Sequence, residues 1–76
     1  MDVQIIATKG CTHRPNLEKE LRDLGIPHQV VFVEDHPEVA ARYHIRHSPN
    51  LVVDGQVVFT RQPDEGELKT FFAGRT

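Results

Sequence analysis

No disulfide can form within this chain, because its 76 residues hold a single cysteine, Cys11. A domain this small therefore depends on its apolar core alone. Tryptophan is absent, and methionine and tyrosine occur once each. A formal net charge of −2, with no basic stripe, argues against a nucleic-acid partner. No apolar run approaches the roughly 18 residues of a membrane span, so no membrane partner is expected. The sequence enters a strand directly after Met1-Asp2, leaving no room for a basic and then apolar signal segment. A lone thiol and no leader predict a cytoplasmic protein in a reducing compartment. Glycines are scattered rather than grouped in a phosphate-cradling loop, and nothing suggests a serine-protease arrangement.

What the sequence does have comes in compact runs. The apolar fraction is a modest 38%, clustered as a thin sheet-and-helix layer requires. Val3, Ile5, Ile6 and Ala7 predict a strand over about Val3 to Thr8, apolar enough to be covered on both faces. Leu17, Leu21 and Leu24 recur on one helix face. That helix is expected to follow Cys11 or Thr12, with Pro15 in its opening turn, Gly25 as its stop and Pro27 preventing resumption. The β-branched run Val30-Val31-Phe32-Val33 completes a right-handed parallel βαβ unit.

Asp35 or His36 can cap a short second helix that starts at Pro37 and runs through Tyr43. Leu51-Val52-Val53 and Val57-Val58-Phe59 flank Asp54-Gly55, a strong signal for a tight antiparallel hairpin. A terminal helix begins near Pro63-Asp64 with Leu68, Phe71 and Phe72 as its apolar face. The order β-α-β-α-β-β-α predicts one α/β domain over residues 1–76. Its expected core is Ile5, Ala7, Leu17, Leu21, Val31, Val33, Val39, Leu51, Val53, Val58, Leu68 and Phe72.

Cys11 sits where the first strand turns into the first helix. Unpaired backbone N–H groups and the positive end of the helix dipole favour an anion there. A thiol so placed can have its pKa pulled from about 8.5 towards neutrality, which makes it a nucleophile. The competing reading is a small buried cysteine that merely packs. Arg14, on the expected first turn, would add positive charge, and His13 would do so when protonated. Equally, both could be ordinary members of a solvated polar turn.

The β-α-β-α-β-β-α order, the cysteine after the first strand, and the stretch from Glu38 to Val58 with Ser48-Pro49 before the third strand resemble the thioredoxin/glutaredoxin superfamily. The likeness is nearest to its very short microbial redox proteins and covers about residues 3 to 72. It implies a thioredoxin-like fold, a four-stranded mixed sheet in order 4-3-1-2, flanked by helices. It also implies a cis peptide at Pro49 facing Cys11, with the backbone of Ser48 pairing to a substrate chain. Thr12, His13, Arg14, Ser48 and Pro49 would then bind the substrate or activate the thiol.

One departure matters most. Where the family has Cys-x-x-Cys, this chain reads Cys11-Thr12-His13-Arg14, so the resolving thiol is replaced by Arg14. In this it resembles monothiol glutaredoxins, which use glutathione or another thiol for release. The implied function is thiol–disulfide exchange by Cys11 on a disulfide-containing or glutathionylated protein or a small-molecule thiol. Glutathione would be a co-substrate rather than a bound cofactor, with Lys9 a candidate contact although its offset differs from the family lysine. The usual Gly-Gly-x-Asp after the hairpin is also missing, replaced by Thr60-Arg61-Gln62-Pro63-Asp64. The alternative is a redox-inactive module that binds a protein partner through the Pro49 groove. Cys11, His13 and His47 would converge if that loop faces the thiol, but Cys-x-His is a poor ligand spacing, so no metal is assigned.

Overall fold

The computed structural model describes residues 2–73. Chain order is β1 (Val3–Ala7), α1 (Arg14–Asp23), β2 (Gln29–Phe32), α2 (Pro37–Tyr43), β3 (Asn50–Val53), β4 (Gln56–Phe59) and α3 (Glu65–Ala73). The four strands form one sheet in the order β2-β1-β3-β4, the expected order read from its other edge. β1 runs parallel to β2 and antiparallel to β3, placing Ile5 beside both Val30 and Leu51. β3 and β4 are antiparallel, with a bulge between Leu51 and Val52.

Local chemistry explains the turns. Asp54 and Gly55 both take positive φ, 52° and 82°, the geometry that a two-residue hairpin turn demands. At the end of α1, Gly25 has φ 72°, and its N–H donates to Arg22 O while that of Ile26 donates to Leu21 O. This is the Schellman arrangement, in which a left-handed glycine lets the chain satisfy the last carbonyls. α3 opens on a reciprocal cap. Asp64 Oδ1 accepts from the Glu67 N–H at 2.7 Å, and Glu67 Oε1 accepts from the Asp64 N–H at 3.1 Å.

α1 starts later than expected. A helix beginning at Cys11 would need the N–H of residue 15 to reach the carbonyl of residue 11, and Pro15 has no N–H. The chain instead makes a turn, with Cys11 N–H donating to Thr8 O, and Leu17 N–H donates to His13 O as the helix gets under way. His13 is its N-cap, so Thr12 and His13 form a bend ahead of it.

One face of the sheet carries the main core. Val3, Ile5, Ala7, Leu51 and Val53 meet Leu17 and Leu21 of α1 and Leu68 and Phe72 of α3. Ile6 and Val52 point to the other face and are equally buried. The sequence reading omitted both, as it did Val3 and Ile26. α2 is the helix left to cover that face, and it has no fully buried residue. Val31, Val33 and Val39, expected in the core, are therefore only half-buried, and so is Val58, which packs against the main core. Val31 and Val58 lie on the two edge strands, Val33 just past one of them, and Val39 on a helix too short to be enclosed.

Candidate active site

Three segments build the site: the turn Thr8 to His13 after β1, the loop His47 to Pro49 before β3, and the start of α1. The Ser48–Pro49 peptide is cis and Pro49 is buried. Ser48 ties the two segments together: its Oγ accepts from the Thr8 N–H at 3.1 Å, and its hydroxyl favours the Cys11 thiolate. Asn50 fixes the loop from behind. Its buried Nδ2 donates to Ile6 O at 3.2 Å and to His47 O.

The cysteine turn is held on its other side by acidic residues. The Lys9 N–H donates to the Glu34 carboxylate at 2.9 Å, and Lys9 Nζ pairs with Asp35 at 3.0 Å. A backbone so tethered from both flanks presents the thiol in one place.

Cys11 is free, half-exposed and packed at the edge of the core. Burial pushes its thiol up, and four effects outweigh that. They are the Ser48 hydroxyl, the backbone N–H groups of His13 and Arg14, and the Arg14 guanidinium. The net result is a pKa below its ordinary value. The helix N-terminus was expected to lead, with Arg14 second. The Ser48 hydroxyl instead stands ahead of the backbone groups, and Arg14 comes last among these effects.

The remaining expected residues divide. His13, His47 and Ser48 line a cavity of about 540 Å³ together with Thr60, Arg61 and Gln62. Arg61 in that wall is committed to Glu67, at 3.0 Å. Thr12 is exposed on the bend. Lys9 is not in the cavity lining, and its ammonium is engaged by Asp35. Among the described residues, no group of three or more His, Cys, Asp or Glu side chains is placed to hold a metal ion. Asn50 stood out in the sequence only as an unusual residue after Pro49, its anchoring role was not read there, and Glu34 was not assigned to the site. An amide opening the apolar run Leu51-Val52-Val53 was a signal for the first, and nothing local marks the second.

Removing the Ser48 hydroxyl takes away a group that favours the thiolate and the acceptor for Thr8. A hydrogen bond to a charged group contributes about 1.5–3 kcal/mol, so Ser48→Ala should raise the Cys11 titration midpoint by about one pH unit or more. The pH dependence of iodoacetamide alkylation measures it. An unchanged midpoint would show that the hydroxyl does not act on the sulfur.

A thiol at a strand-to-helix turn, beside a cis-proline loop on a four-stranded mixed sheet with three helices, defines the thioredoxin-like α/β fold. The family model for the thioredoxin domain matches residues 1–73. The chain belongs to that family. Similar solved structures include thioredoxin 1 of Thermosipho africanus, at 15% identity and TM-score 0.72, covering 97% of this chain and 92% of that one. A point-mutant thioredoxin from Halobacterium salinarum aligns at 24% identity and TM-score 0.72, covering 99% of this chain and 75% of its own. The thioredoxin of Fasciola hepatica aligns at 19% identity and TM-score 0.68, covering 99% and 82%. No curated protein sequence matches the chain. Among the described residues no helix is long and apolar enough to cross a membrane.

Proposed function

We propose that this protein is a cytoplasmic monothiol exchange protein in which Cys11 is the nucleophile. The observation that carries the reading is the placement of Cys11, half-exposed on the turn that the Ser48 hydroxyl ties to the cis-proline loop through Thr8, with its pKa held below the ordinary thiol value. The Cys11 thiolate attacks one sulfur of a disulfide or glutathionylated thiol. A mixed disulfide forms, and the other sulfur leaves as a thiolate that takes up a proton. With Arg14 in place of a second thiol, release falls to an external thiol such as glutathione. Its thiolate attacks the sulfur bonded to Cys11, forms a new disulfide with the group held there, and displaces Cys11 as the thiolate.

Substrate would lie along the cis-proline loop, with the His13–His47 cavity beside it. Ser48 is already spent on Thr8 and the sulfur through its side chain, so its backbone is the part left to meet a substrate chain. For Lys9 to reach a glutathione carboxylate it would first have to leave Asp35.

The test is the rate of alkylation of Cys11 against pH. A midpoint clearly below about 7.5 supports an activated nucleophile. One at or above about 8.5, an unperturbed thiol, overturns the exchange reading in favour of a redox-inactive module that binds a partner at the Pro49 groove. Between those limits, turnover of a glutathionylated substrate with glutathione decides.

A further inference from the structure

Arg14 is not a free cation placed near a thiol. Its guanidinium pairs with Glu18 one helical turn later, and both side chains are largely covered, 23% and 20% exposed. The planar group also lies over the Phe32 ring, 5.2 Å from its centroid, the stacking that an arginine in particular can make. Its Nε is buried and has no hydrogen-bond partner. A guanidinium accepts that cost only where neighbours hold it, and here those neighbours are one carboxylate and one ring.

We propose that Glu18 is a positioning residue for the thiol site, whose carboxylate neutralises part of the Arg14 charge that reaches the Cys11 sulfur while Phe32 holds the guanidinium in place. The inference rests on Cys11 being the reacting thiol, as proposed above. Few other groups compete for the role. On the turn before α1, Lys9 is paired with Asp35, and Glu34 accepts from the Lys9 backbone. Past β4, Arg61 is paired with Glu67. His13 on the turn and His47 on the cis-proline loop line the cavity, and exposed Arg46 precedes His47. Among these, Glu18 is the carboxylate paired with Arg14, the arginine that acts on the sulfur. Without it the guanidinium keeps its ring contact, and its full charge faces the sulfur.

The experiment compares alkylation midpoints of Cys11 in wild type, Glu18→Gln, Arg14→Gln and the double variant. Arg14→Gln should raise the midpoint. Glu18→Gln should lower it by about half a pH unit, roughly a threefold faster reaction below the midpoint. In the double variant the Glu18 effect should vanish, leaving the Arg14→Gln value. A downward shift of the same size with and without Arg14 would mean that Glu18 acts on the sulfur directly, and would overturn the proposal. So would no shift, or a rise, in Glu18→Gln. Should that variant fold poorly by circular dichroism, Glu18→Ala keeps a strong helix former at the site and is read the same way. The absolute wild-type midpoint judges the exchange reading, whereas the differences between variants judge Glu18. Either can therefore fail alone.

Discussion

Leu21→Ala is expected to destabilise the protein by about 2–5 kcal/mol. Leu21 is fully buried, and it belongs to the cluster in which α1 meets β1, β3 and α3. Its backbone carbonyl also accepts from Ile26 in the turn that ends α1, so packing and helix termination converge on one position. A cavity there cannot be filled by a shift of one neighbour, because Leu21 shares one cluster with sheet residues and with Leu17, Leu68 and Phe72. Small domains have a total stability of about 5–15 kcal/mol, so the loss is a large share of it. In a urea titration the midpoint should fall markedly with the slope unchanged. Leu24→Ala, at a half-buried site on the same helix face, should cost less. An unshifted midpoint for Leu21→Ala would mean that the α1 face is wrongly assigned.

The fold was legible because its punctuation is local. Asp54-Gly55 can only turn tightly, Gly25 can adopt a left-handed φ where other residues resist it, and the runs between them alternate between strand and helix periods. The start of α1 was misjudged by a rule that works over four residues. Pro15 is welcome in a first turn, yet its missing N–H also forbids the turn before it. Burial was harder to read. Val31 and Val58 look like core residues in a string of letters, and only the strand order reveals that both sit on edges. Ile6 and Val52 failed in the opposite sense, since their burial depends on the second face of the sheet having a cover.

The site divides in the same way. Cys11 and Ser48-Pro49 could be found because one is a unique chemical group and the other follows from a family resemblance. The pairing of Arg14 with Glu18 was written in the sequence as an i,i+4 spacing. Glu34 could not be found. It reaches Lys9 across 25 residues of chain, and that contact exists only because β2 lies beside β1.

Cys11→Ser is expected to abolish exchange completely while leaving the fold intact. The sulfur is at the edge of the core and half-exposed, so an isosteric hydroxyl should change stability by no more than about 1 kcal/mol. No other thiol is present to take over the attack. Residual exchange would place the chemistry outside this protein. Arg14→Cys tests the complementary point, the missing second step. It removes the guanidinium that Glu18 and Phe32 hold, and it puts a thiol at the first residue of α1. The introduced thiol can then attack the Cys11 mixed disulfide from within, releasing the substrate thiolate and leaving an intramolecular disulfide. Pre-reduced Arg14→Cys should therefore release product from a model disulfide in a single turnover without glutathione. Wild type should stop at the mixed disulfide, visible as a mass adduct on Cys11. Cys11 should also lose the charge support that Arg14 supplies, so attack by the variant should be slower near neutral pH even as release becomes independent of added thiol. An adduct that accumulates equally in both proteins would mean that the turn before α1 does not bring residue 14 within reach of the Cys11 sulfur.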